Sequence, residues 1–217
     1  MCKTSTSNAL RLKEYIEEMD DFQIIEPNLC SYSNHIGALL TDAVLQAGLS
    51  YRSVVWPRVS YVLTAFPEAK TTSSFLRVLQ EKGVSNVLQW RNSEKIQRLE
   101  ELVGFFIRKS IDTTAELADF LRDDGNVESM KEIRGIGDKT CDYIKRLLGF
   151  DTVAVDRNIR SFVEKANIKC RNYNDFQETV EYAADFLDCS RRSLDYSIWS
   201  YMSHNEEGTL ELSFDYE

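Results

Sequence analysis

"RGIGDKTCDYIKRLLGFDTVAVDRN", residues 134–158, is the stretch on which the reading of this chain turns. Gly135 and Gly137 bracket Ile136, and a run opening Asp138-Lys139-Thr140 follows directly. Tyr143, Ile144 and Leu147 recur at helical spacing, and Gly149 is well placed to stop that helix. Seventeen residues after Lys139 comes Asp156, ahead of Arg157-Asn158-Ile159, in the position of a helix N-cap. The stretch therefore predicts a tight turn, a helix, a return segment and a second, capped helix.

Each of these residues admits two readings. The glycines allow backbone angles that let successive N–H groups point outward together, ahead of the positive end of a helix, which suits an anion such as a DNA phosphate. They equally allow a plain corner between helices. Lys131, Arg134, Lys145 and Arg146 lie close in sequence and favour the phosphate reading. Lys139 is either a solvated or phosphate-contacting cation, or an amine nucleophile that forms a Schiff base with an electrophilic sugar carbon. The first turn of a helix destabilises its cation, which helps an amine attack. A carboxylate at Asp156 acts oppositely at rest. Extended, the link from Phe150 to Asp156 reaches about 23 Å, enough to return to the start of a helix about 15 Å long. Spacing leaves capping and catalysis by Asp156 both open.

Working outward, helical periodicity dominates. Stripes occur at Leu12, Tyr15, Ile16 and Met19, at Ile36, Leu39, Leu40 and Ala43, and at Val55, Val59, Val62 and Phe66. Others follow at Ile96–Phe106, Leu117–Leu121, Tyr143–Leu147, Ile159–Ala166, Phe176–Leu187 and Leu194–Tyr201. Pro57 either begins a helix or kinks one. "TLELSF" is the one short strand candidate. The class is all-α, with about ten helices. Trp56, Trp90 and Trp199 fit core and base-stacking roles equally well.

Composition limits the function classes. With 217 residues and 43% apolar content, the chain can bury a core as one generous domain or two small lobes. The N-terminal stretch is polar and then acidic, unlike a secretion signal, and no segment reaches the length of a membrane span. Five widely spaced cysteines and two histidines argue for reduced thiols and against a zinc site. The expectation is a non-secreted protein, cytoplasmic and nucleoid-associated or nuclear, with no membrane partner. Net charge is −9, which disfavours nucleic acid, yet Ser129–Cys170 carries nine Lys/Arg against six Asp/Glu. The excess acid gathers at the two ends.

"IRGIGDKTCDYI" and "VAVDRNIRSFVEKANI" resemble the hairpin LPGxGxKTA and the VDTHVxRVxxRLG segment of the helix–hairpin–helix DNA glycosylase superfamily, which includes endonuclease III. "ALLTDAVLQAGLSYRSVVWPRVSYVLTAFPEAKT" resembles its upstream helix pair, and "SLDYSIWSYM" the helix closing its second lobe. The resemblance spans roughly residues 34 to 203. It implies two helical lobes with a helix–hairpin–helix flanking an interlobe cleft: residues 34–152 as one lobe, and 1–33 plus 153–217 as the other. It also implies a base-excision-repair glycosylase that flips a damaged or mismatched base of double-stranded DNA into the cleft.

By that likeness Asp156 offsets the positive charge growing on the sugar, and Lys139 is the Schiff-base nucleophile of members that also cut the strand. Arg134, Gly135, Ile136, Gly137 and Thr140 form the DNA-binding hairpin, in many members with a monovalent cation on its backbone. Gln46 matches the polar residue that fills the gap left by the flipped base, and equally suits a polar helix end. Arg134 stands where the hairpin usually has proline, and no C-x6-C-x2-C-x5-C pattern follows Asp156, so no iron–sulfur cluster and no other cofactor is expected. The chain is expected to act as a monomer. The alternative is a non-catalytic helix–hairpin–helix module that binds damaged or bent DNA, in which Lys139 serves only as a phosphate contact.

Overall fold

The structure is a computed structural model that describes residues 3–27, 32 and 34–206. Among the described residues there are twelve α-helices and no strand. They are α1 (Lys3–Glu17), α2 (Ile36–Leu45), α3 (Trp56–Ala65), α4 (Thr72–Lys82), α5 (Val84–Leu88) and α6 (Ser93–Arg108). The series continues with α7 (Thr114–Phe120), α8 (Asp124–Lys131), α9 (Asp138–Leu147), α10 (Arg157–Lys165), α11 (Tyr173–Phe186) and α12 (Arg191–Glu206). A π-helical turn, Tyr51–Val55, runs straight into α3, and Pro57 sits in the first turn of that helix, where its missing N–H costs nothing. The strand candidate "TLELSF" lies outside the described residues.

The all-α reading holds, with more helices than the ten expected. The three without a flagged stripe are α4, α5 and α8. Five residues make α5 too short for periodicity, and α8 opens on Asp124-Gly125, which reads as a turn. The apolar face of α4, Phe75, Val78 and Leu79, follows the polar run Thr71–Ser74, in which Thr71 and Ser74 form a capping box.

The chain divides into two compact units, Leu29–Phe150 and Met1–Asn28 with Asp151–Glu217. In the first, α2 is the central pillar, and all ten of its residues are buried. His35 caps it: its Nδ1 accepts from Ala38 N at 3.0 Å, while Nε2 lies 3.1 Å from Phe66 O. At Gly37 a Cβ would stand 2.9 Å from the Phe75 ring, so only glycine lets α4 approach this closely. Helices α3, α4, α6 and α9 pack around α2. Fully burying each of Ile36, Leu39, Leu40 and Leu45 contributes roughly 1.5–3 kcal/mol.

In the second unit α1 lies along α11, and α12 packs on α10 and α11. Phe162 is its aromatic centre, with Tyr15, Phe22 and Tyr201 at ring distances of 5.7, 5.3 and 6.0 Å. The buried segment Val153–Val155 has no sheet partner, so side chains satisfy its backbone. Val153 N donates to Glu181 Oε1 at 3.3 Å, Ala154 N to Asp195 Oδ2 at 2.7 Å and Val155 N to Tyr173 Oη at 3.1 Å. These bonds fix where the chain enters α10, and with it the position of Asp156.

Candidate active site

The hairpin is α8, residues 132–137 and α9. Gly135 adopts φ +84°, which a side chain resists, whereas Gly137 is extended at φ −129°, ψ −174°, a conformation any residue can adopt. The expectation that both glycines supply unusual angles therefore holds for Gly135 and is corrected for Gly137. Ile136 is buried, and its N–H closes the turn onto Ile133 O at 2.9 Å, so its side chain anchors the turn to the core. Thr140 is also buried. Gly137 caps α9 with its carbonyl, which accepts from Thr140 N and Cys141 N at 3.0 and 3.1 Å.

Arg134 is exposed, and its carbonyl accepts from Arg98 Nε at 3.3 Å. The Arg98 guanidinium lies so close to Gly135 that a Cβ there would stand 2.0 Å from Nη2. Of the carbonyls on this backbone, those of Ile133 and Arg134 each accept one hydrogen bond, from Ile136 N and Arg98 Nε. Among the described residues no group of His, Cys, Asp and Glu is arranged to hold a metal ion.

Lys139 stands in the first turn of α9. Its Nζ donates to Gln46 Oε1 at 2.6 Å, so two candidate residues far apart in sequence meet. Gln46 is the C-cap of α2, and its Nε2 is buried with no hydrogen-bond partner among the described residues. One turn further along α9 and one turn back along α2, Tyr143 Oη donates to Asp42 Oδ1 at 3.0 Å. Tyr32 and, at 3.2 Å, Tyr51 donate to the other oxygen of Asp42. Burial pushes the Asp42 carboxyl up to about 6 against the pull of these phenols, and burial also raises Tyr143. The two rungs, Gln46–Lys139 and Asp42–Tyr143, set the register of α2 against α9.

Two cations on α6 complete this end of the hairpin unit. Lys95 Nζ donates to the carbonyls of Val44, Leu45 and Ala47 at 3.0, 3.2 and 2.9 Å, closing the C-terminal end of α2. Burial, together with the like charges of Arg98 and Lys139, lowers its pKa to about 8. Arg98, one turn on, holds the hairpin. On the hairpin side Lys131 joins Glu128 and Asp138 at 2.5 and 2.6 Å, and these hydrogen bonds raise its pKa. Cys141 is a buried core thiol, pushed up to about 12 by that burial.

Asp156 belongs to the other unit. It is half-buried and is the N-cap of α10, with Oδ1 accepting from Ile159 N at 3.0 Å. Its second oxygen accepts no hydrogen bond among the described residues, so the cap occupies half of the carboxylate.

Sequence reasoning missed Lys95, Arg98 and the Asp42 cluster. Asp42 had a visible signal, a lone carboxylate inside the apolar run IGALLTDAVL. Lys95 and Arg98 read as ordinary solvated cations on an amphipathic helix.

A family model described as a domain of unknown function (DUF8548) matches residues 11–203. No curated protein matches the chain. Among solved structures, the H. pylori 3-methyladenine DNA glycosylase (MagIII), bound to 1,N6-ethenoadenine, matches with a TM-score of 0.53 at 18% identity, covering 96% of this chain and 99% of that one. The likeness lies in the fold, the all-α architecture of a DNA glycosylase.

Proposed function

Because the chain belongs to the DUF8548 family, a domain of unknown function, its activity is read from its own residues, and we propose that it is a base-excision-repair DNA glycosylase with abasic-site lyase activity. The observation that carries this reading is the bond between Lys139 and Gln46. Lys139 and Gln46, both singled out by the one family resemblance, meet beside the hairpin, which supports reading them as nucleophile and gap-filling residue. The orphaned amide nitrogen of Gln46 has a donor still to satisfy, and a base left without its partner offers acceptors.

In the proposed reaction, Arg134 and the backbone of Gly135–Gly137 grip a phosphate of double-stranded DNA while the damaged base swings out. The neutral amine of Lys139 attacks C1′, and the C1′–N bond breaks, with its electron pair leaving on the base. Asp156 offsets the positive charge that grows on the sugar. Loss of one amine proton gives an aminal; its C1′–O4′ bond then breaks, O4′ takes up a proton, and the opened sugar is left as a protonated Schiff base that makes the C2′ proton acidic. Removal of that proton expels the 3′ phosphate by β-elimination. The solved neighbour is named for 3-methyladenine and holds 1,N6-ethenoadenine, so alkylated and etheno purines come first among the bases to screen.

Borohydride added during reaction with abasic duplex should reduce the Schiff base and leave a covalent protein–DNA adduct. Lys139→Ala should abolish the adduct and retain binding. A wild-type protein that never traps has no lyase activity.

One observation favours a second reading, binding without chemistry: Asp156 already has structural work as the cap of α10. In that case Lys139 is a phosphate contact, and replacing it flattens the salt dependence of binding by about one unit of slope.

A further inference from the structure

We infer that Arg98 of α6 is a DNA-binding residue: its guanidinium, laid across the backbone of Gly135, takes the oxygens of a duplex phosphodiester beside the hairpin. The choice of ligand rests on the reading above, to which Arg98 adds a contact from outside the hairpin itself.

The side chain forgoes the partners its own helix offers. On α6, Glu94 stands four residues before Arg98 and Glu101 three residues after, the spacings at which helix surfaces form ion pairs. Arg98 pairs with neither carboxylate among the described residues. It turns instead to the hairpin, where Nε donates to Arg134 O at 3.3 Å in an exposed bond. That bond is long and open to water, a weak staple. It also occupies one of the five guanidinium N–H donors. The four on Nη1 and Nη2 reach no acceptor among the described residues. Those donors form the fork that matches two oxygens of one phosphate.

The hairpin is shaped to admit this group. A Cβ on Gly135 would stand 2.0 Å from Nη2 and 2.4 Å from both Cζ and Nε, so the guanidinium fills the place of the missing side chain. Glycine at 135 thus permits both the positive φ of +84° and the seating of an arginine. Two positions on, nothing lies within 4 Å of where a Cβ on Gly137 would stand, which leaves an open approach beside the turn. The carboxylates that flank the hairpin are engaged elsewhere, since Glu128 and Asp138 both bind Lys131, at 2.5 and 2.6 Å. Exposed Arg134 supplies a second guanidinium on the same turn. In a chain of net charge −9, binding a polyanion requires that unpaired cations gather at the contact, and Arg98 is such a cation held in place by backbone.

The test compares wild type, Arg98→Gln, Arg98→Lys, Arg134→Gln and the double variant Arg98→Gln/Arg134→Gln in the full chain, on undamaged and abasic duplexes of one sequence. In Arg98→Gln the salt slope of binding should fall by about one, so the affinity lost between about 50 and 200 mM salt shrinks about 3.5-fold on both duplexes. Arg98→Lys should keep the slope and bind more weakly than wild type, because it retains the charge and loses the fork. The double variant should lose about two units of slope, each guanidinium having its own phosphate. In wild type, the Arg98 Nε–Hε resonance, assigned by its loss in Arg98→Lys, should move when undamaged duplex is added, which reads the contact in the unaltered protein. An unchanged slope in Arg98→Gln overturns the proposal, as does an Arg98 resonance that the duplex leaves in place. A slope that Arg98→Gln lowers only while Arg134 is present also overturns it, by making Arg98 a prop for its neighbour. Wild type that shows the expected slope and resonance shift, yet neither releases bases nor traps, keeps this contact and defeats the enzymatic reading. Trapping by wild type with an unchanged slope in Arg98→Gln does the reverse.

Discussion

Lys139 and Gln46 are joined by a 2.6 Å hydrogen bond across 93 residues of chain, while the amide nitrogen of the same Gln46 is buried without a hydrogen-bond partner among the described residues. An acceptor given to a cation and a donor left unsatisfied describe a residue held ready rather than at rest. Gln46→Ala should cost the free protein only about 1 kcal/mol, a typical net hydrogen bond. It should cost excision more, because the gap left by a flipped base then stays open. Losing about 1.4 kcal/mol of that compensation is tenfold in rate. Stopped-flow fluorescence with 2-aminopurine opposite or beside the lesion reads base extrusion directly. Unchanged extrusion in Gln46→Ala would return this residue to an ordinary helix end.

The second rung of the same ladder predicts a pH signature. The Asp42 carboxyl is raised from 3.8 to about 6 by burial, so the folded state binds its proton more tightly than the unfolded chain does. The group is neutral in both states below about pH 4. Stability falls as pH rises from about 4 through about 6, and beyond that the ionised carboxylate costs the fold about 3 kcal/mol. Asp42→Asn should remove this dependence. In urea unfolding the variant should gain on wild type from pH 4 to pH 7, and a difference that does not vary with pH would show that Asp42 is not the titrating group.

Periodicity was legible where one face of a long helix is apolar and the other wet, as in α6, α9 and α10 with their buried Leu99, Val103, Ile144, Leu147, Phe162 and Val163. It failed for α5 and α8, where a five-residue helix and an Asp-Gly start leave little pattern to read. Lys139 and Gly135 stand out locally, because a positive φ and a helix start leave marks in sequence. Lys95 does not. Its partners are 48 to 51 residues away, and they are backbone carbonyls, which carry no residue identity at all. Only the packing of α6 under the end of α2 creates its role. The tyrosines around Asp42 are hidden for the same reason, since Tyr32, Tyr51 and Tyr143 come from three separate stretches.

The two hairpin glycines should respond differently to alanine. Gly135 sits at φ +84° with the Arg98 guanidinium against it, so Gly135→Ala adds left-handed strain of about 1–2 kcal/mol and pushes Arg98 away. Gly137 is extended, with open space where a Cβ would go, so Gly137→Ala should leave stability unchanged or slightly raised. Denaturant midpoints decide this part. If the Gly137 amide contacts a DNA phosphate, the methyl group should weaken duplex binding without touching stability. Equal destabilisation by both substitutions would contradict this account of the turn.

Asp156 carries the sharpest separation of structure from chemistry. Its Oδ1 caps α10 through Ile159 N at 3.0 Å, and asparagine caps a helix about as well as aspartate. Asp156→Asn should therefore melt within a few tenths of a kcal/mol of wild type, while Asp156→Ala should lose about 1 kcal/mol, roughly 2–4 °C for a chain of this size. Excision should rank the variants otherwise. Neither variant carries the negative charge that offsets an oxocarbenium-like sugar, so both should fall together and by orders of magnitude. Thermal melts and single-turnover base release on one lesion duplex, run on the same three proteins, give both rankings. An Asp156→Asn protein that excises at the wild-type rate would mean that this carboxylate only starts a helix, and the binding-module reading would then explain the hairpin better than catalysis does.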